Sequence, residues 1–111
     1  MTELELQKQI KKALTDMGHR CWQVDSGKKV TYKTRGQGLE KGFPDIFGAR
    51  KGDGRLFFVE VKIGNGKPSD NQVKFLKNAN ENNVLNGIAW NVEEAIEIVQ
   101  GKRTIKNWEE K

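Results

Sequence analysis

The stretch GFPDIFGARKGDGRLFFVEVK, residues 42–62, decides how this chain is read. Two apolar runs, Pro44 to Arg50 and Arg55 to Ile63, are joined by KGDG, a turn signal that predicts a hairpin of paired strands. Both runs carry charge: Asp45 in the first, Glu60 and Lys62 in the second. Charged side chains are among the least often buried without a partner, so these three are either solvated edge residues or a site. A period of two along LFFVEVK puts Leu56, Phe58, Glu60 and Lys62 on one face and Phe57, Val59 and Val61 on the other. Asp45 opens the partner strand directly after Pro44, whose ring fixes the backbone approach. The hairpin returns the chain so that both carboxylates can lie near one end of the pair.

Two carboxylates a few ångströms apart repel each other and take up a proton unless a divalent cation lies between them. Magnesium suits such a gap, being a hard ion that uses one or two carboxylates together with waters and phosphate oxygens; manganese is its natural substitute. Lys62 beside that pair would stabilise charge developing on an attacked phosphate, or orient and help deprotonate the attacking water. The chemistry this constellation suits is phosphodiester hydrolysis. The plainer alternatives are that Asp45 caps a turn and that Glu60 and Lys62 form an ion pair on an exposed sheet face.

Working outward, TELELQKQIKKALTDMG reads as a helix, with Leu6, Ile10, Ala13, Leu14 and Met17 at helical spacing and Gly18 as the stop. Thr2 and Glu5 have the spacing of a capping box, which gives Glu5 a structural job. Glu3 falls on the helix's apolar face, three before Leu6 and seven before Ile10, where an inward carboxylate calls for a cation. HRCWQVD, residues 19–25, alternates as a strand. The basic, glycine-rich stretch at 26–42 reads as a mobile loop or loose hairpin suited to a nucleic-acid backbone, through Lys28, Lys29, Lys33 and Arg35.

Downstream, Ser69 caps a helix from Asp70 to about Asn82 and VLNGIAW, residues 84–90, is a strand. Asn91 and Glu94 form a variant capping box for a last helix that ends at Gly101. The charged tail containing Trp108 is unassigned. His19, at a strand start away from the charged hairpin, reads as structural. The predicted order is α-β-β-β-α-β-α, an α/β fold whose mixed central sheet is flanked by helices, with residues 1–111 as one domain.

Composition bounds the partners. Lys and Arg outnumber Asp and Glu by 20 to 15, a formal charge of +5 that favours a polyanion. A lone Cys21 excludes an internal disulfide framework, and no run approaches a membrane span, so no membrane partner and a cytoplasmic setting are expected.

Pro44-Asp45 followed by Glu60-Val61-Lys62 resembles the PD-(D/E)XK nuclease signature, and its surroundings resemble the VRR-NUC (virus-type replication-repair nuclease) branch. Four pieces in order carry the resemblance: the early glutamate in ELELQKQI, GFPDIFG, FFVEVK, and SDNQVKFL with its glutamine. The resemblance implies a restriction-endonuclease-like core. Asp45 and Glu60 would be metal ligands with the Val61 backbone carbonyl, Lys62 the catalytic lysine, Glu3 a helical glutamate aimed at the metal or its waters, and Gln72 the glutamine of the helix after the sheet. Gln72 equally completes a Ser69-x-x-Gln72 capping box.

The implied activity is that of a magnesium-dependent DNA endonuclease acting as a homodimer on branched DNA such as four-way junctions, of phage or mobile-element type, in replication or repair. A chain this short holds little room for a targeting domain, which leaves specificity to DNA shape, to a partner such as a helicase, or to pairing of two copies. The competing readings are a nuclease-like fold that grips DNA without cutting, and RNA recognition by a surface of Trp22, Tyr32 and Lys33.

Overall fold

The computed structural model describes residues 1–24 and 39–109. The four cations expected to contact DNA, Lys28, Lys29, Lys33 and Arg35, lie outside the described residues, as does Tyr32. The elements are α1 (Glu3–Asp16), β1 (Arg20–Gln23), β2 (Ile46–Ala49), β3 (Leu56–Val61), α2 (Asp70–Glu81), β4 (Leu85–Ala89), α3 (Val92–Val99) and α4 (Ile105–Glu109).

The sheet runs β1-β2-β3-β4, antiparallel in its first two pairings and parallel between β3 and β4. A parallel neighbour needs a crossover, and α2 supplies it. The β2–β3 turn closes through Gly54 N–H to the Arg50 carbonyl at 2.8 Å, tied by the Arg50–Asp53 ion pair.

Helices cover both faces of this mixed sheet. On the first face, Leu6, Ile10 and Leu14 of α1 and Ala95, Ile98 and Val99 of α3 pack on Phe57, Val59 and Val61. Gly48 lets this face close: a Cβ there would stand 2.7 Å from the Phe57 ring and 2.1 Å from the Arg20 carbonyl oxygen. On the second face, Leu76 of α2, Ile88 of β4 and Ile105 of α4 form a smaller core ringed by Phe58, Phe75, Trp90 and Trp108.

The caps explain where helices begin. Thr2 and Glu5 make their reciprocal bonds at 2.9 and 3.1 Å. Asn91 Oδ1 accepts from Glu94 N–H at 2.8 Å, but Glu94 Oε1 accepts from Trp90 N–H instead of closing the box on Asn91. The tail is a departure from the sequence reading. Thr104 Oγ1 accepts from Lys106 N–H and Asn107 Oδ1 accepts from Thr104 N–H, starting α4 and burying Ile105 completely. Ile105 N–H in turn donates to the buried Asn86 Oδ1 at 3.1 Å. Among the described residues no helix is long and apolar enough to cross a membrane.

Candidate active site

The site begins where the β2–β3 ladder stops. Ile46 pairs with Val59, so one further step would set Asp45 opposite Glu60, and a second would set Pro44 opposite Val61. Pro44 has no N–H to continue the ladder. Val61 N–H donates instead to Asp45 Oδ2 at 2.9 Å, while the Asp45 carbonyl accepts from Val24 N–H at 2.7 Å. Asp45 is thereby fixed between β1 and β3 with 7% of its surface exposed.

Gly42 sets the approach to that position. Its φ is +83°, and a Cβ there would lie 2.3 Å from the Asn71 carbonyl oxygen. Only glycine permits both the left-handed backbone and the contact. The segment leading into Asp45 therefore rests directly on the first turn of α2, which carries Gln72.

Glu60 projects from β3 on the same side as Phe58 and is 1% exposed. Lys62 Nζ stands 3.3 Å from Glu60 Oε2, with only 12% of the lysine side chain exposed. This is an ion pair, but an interior one, unlike the exposed surface pair the sequence allowed. Glu60 Oε1 is buried and has no hydrogen-bond partner among the described residues.

Burial, followed by the charge of Asp45, pushes the Glu60 carboxyl up to about 8, with Lys62 pulling the other way. Asp45 is raised as well, by burial, against the lowering effects of the Val61 N–H bond, Glu60 and Lys62; the charge of Glu3 adds to the rise. Burial and mutual repulsion thus favour uptake of a proton by the metal-free pair. An orphaned buried oxygen and two mutually repelling carboxylates are the donor chemistry a small hard cation satisfies, so these residues fit a magnesium ion.

The other expected residues stand at different distances from this centre. Glu3 is the first residue of α1 and half-buried, and its charge reaches Asp45. Among the described residues no cluster of three or more His, Cys, Asp and Glu is placed to hold a metal. Gln72 makes the capping box: its Oε1 accepts from Ser69 N–H at 2.8 Å, and its own N–H donates to Ser69 Oγ at 3.2 Å. His19 accepts from Lys51 N–H at 2.9 Å and sets its ring edgewise to Phe57, a structural role.

One buried polar residue on the face of Glu3 has no counterpart in the sequence reading. Gln7, one turn beyond Glu3 on the same helix face, is buried and accepts from Gln23 Nε2 at 3.1 Å. Its signal was the i, i+4 spacing from Glu3, masked by a polar residue type that normally points to solvent. Trp22, named above as a surface aromatic, is 45% exposed.

The sequence profile of the VRR-NUC domain matches residues 3–92. A solved structure described as a VRR_NUC domain superposes with a TM-score of 0.64 over 88% of this chain and 94% of that one, at 20% identity, which speaks to the fold alone. No curated protein sequence matches the chain. The profile spans α1 to the start of α3, including Asp45, Glu60 and Lys62, and with the mixed sheet of the PD-(D/E)XK type it establishes that the chain belongs to the VRR-NUC domain family.

Proposed function

We propose that the chain is a metal-dependent endonuclease that hydrolyses phosphodiester bonds in DNA. The observation that carries this reading is the buried Asp45–Glu60 pair, with Glu60 Oε1 unsatisfied and Lys62 beside it, in a member of a nuclease family. Asp45 and Glu60, with the Val61 carbonyl, would hold magnesium or manganese. The ion, when bound, would neutralise phosphate charge and make water a better nucleophile at neutral pH.

The protein's own contributions are separable. Val61 N–H holds the Asp45 carboxylate in one orientation, and Lys62 adds a fixed positive charge next to the reacting phosphate. Glu3 contributes negative charge from the side of α1, aimed at the metal or its waters. Gln72, held by its cap, would present its amide nitrogen to the substrate. Lys28, Lys29, Lys33 and Arg35 would contact the DNA backbone. Two copies paired about a two-fold axis would present two such sites to a branched substrate such as a four-way junction, in the cytoplasm, during replication or repair.

The test is cleavage of a labelled four-way junction, a matched linear duplex and a single strand, with magnesium, manganese or chelator, for wild type and Asp45→Ala. Cutting that needs the metal and is lost in the variant supports the reading. Tight binding without cutting under every metal would make the chain a binding module.

A further inference from the structure

Among the described residues the second face of the sheet is covered by helices only toward β4, leaving a row of side chains open on β1 and β2. Trp22 of β1 pairs with Phe47 of β2, and their rings stack with centroids 5.5 Å apart at 28°. The Arg20 guanidinium lies 5.5 Å from the Trp22 centroid. Arg20 is exposed and makes no hydrogen bond or ion pair among the described residues, so its donors are available to a ligand. Beneath, Phe43 packs edgewise on Phe47, Phe58 and Phe75, which anchors the ladder to the core.

The register ties this ladder to the carboxylates. Phe47 is two residues along β2 from Asp45 and therefore on the same side of the sheet. Trp22 is one strand over, opposite Phe47. With ~3.3 Å per residue and ~4.8 Å between strands, Trp22 sits on the order of 8 Å from Asp45 along the sheet surface. A stacked strand advances ~3.4 Å per nucleotide, so this is a reach of two to three nucleotides.

An exposed ring backed by a second ring, with an unpaired guanidinium over it, has the chemistry of a nucleobase platform: every base has a π-face, and arginine adds cation–π attraction and a phosphate contact. The cation and the chain's net charge of +5 disfavour a purely apolar protein partner. We infer that the Arg20–Trp22–Phe47 ladder stacks an unpaired nucleobase of the strand whose phosphate lies at Asp45 and Glu60. The inference rests on the nuclease reading and sharpens it: the cleaved strand is unstacked close to the cut, and fully paired duplex uses the site poorly.

The experiment measures binding of the full chain, in chelator, to a short thymidine strand and to an abasic strand of equal length, which keeps the phosphates and lacks the bases. Wild type should prefer the thymidine strand by roughly 5- to 150-fold, the range of one stacked base. Trp22→Ala should bring that ratio close to one, Trp22→Phe should keep most of it, and Arg20→Ala should lower it in part. An unchanged ratio in Trp22→Ala overturns the inference, as does an equal loss for both strands. Dissociation of a wild-type dimer by Trp22→Ala, seen in sedimentation, would also overturn it by assigning the face to a second copy. Wild type that cleaves DNA but shows no base preference defeats the platform alone. Wild type that prefers bases but never cleaves with metal defeats the nuclease reading and leaves the platform standing.

Discussion

At its C-terminal end β3 is buried on both faces, and the two faces are chemically opposed. Val59 and Val61 on one face are 0% exposed and sealed under α1 and α3, while Glu60 between them is 1% exposed and points the other way. Burial of the valines favours folding by roughly 1.5–3 kcal/mol for each side chain. Burial of Glu60 opposes folding, since its carboxyl is desolvated, faces Asp45 and leaves Oε1 unbonded. The strand stabilises the protein with one face and opposes folding with the other. The apolar face fixes the position of the polar one, so the carboxylates cannot drift apart to relieve their repulsion.

Substitutions on the two faces should therefore separate activity from stability. The largest effect expected is on the polar face: Lys62→Ala should lower cleavage per folded molecule on the order of 10²- to 10⁴-fold. Full activity in this variant would remove the lysine from the mechanism. On the apolar face, Phe57→Ala should cost about 3–5 kcal/mol in urea unfolding, because the ring that fills the space over Gly48 cannot be replaced by relaxation of a β-sheet core. Activity per folded molecule in that variant should fall far less than in Lys62→Ala.

A third expectation concerns pH. The Glu60 proton is held up to about 8 in the folded protein against an ordinary value of 4.5, so the folded state binds more protons than the unfolded state in between. Stability of the metal-free protein should then fall as pH rises from about 4.5 to about 8. Glu60→Gln, which removes the titrating group and keeps the shape, should flatten that decline; a slope identical to wild type would place the titration elsewhere. The smallest effect expected is at α2, where Ser69→Ala should cost about 1 kcal/mol by opening the capping box with Gln72. A much larger loss of cleavage than of stability in Gln72→Ala, compared with Ser69→Ala, would give the glutamine a role beyond the cap.

The same contrast explains what could be read from the sequence. Strong periodicity and turn chemistry announced α1 to α3 and all four strands, with ends within about two residues of those observed. Helix α4 was illegible because Ile105 is one apolar residue in a charged tail, and its burial depends on Asn86 and Ile88 of β4, far away in sequence. At the site, period two brought Glu60 and Lys62 to one face, and Pro44 placed Asp45. What no local pattern encodes is depth: that the Glu60–Lys62 pair is interior and that one carboxylate oxygen is left without a partner. Gln7 shares a helix face with Glu3, but its polar residue type hid a burial that is completed by the bond from Gln23.

If the Asp45–Glu60 pair is a cation site, the arriving cation should displace the proton that the pair holds. Calorimetric titration with manganese near pH 6.5, repeated in buffers of different ionisation enthalpy, measures both the binding and the protons released. Wild type should bind manganese with release of about one proton, and Glu60→Gln should bind markedly more weakly with little release. Manganese bound with no proton release, or bound equally by the variant, would contradict that assignment.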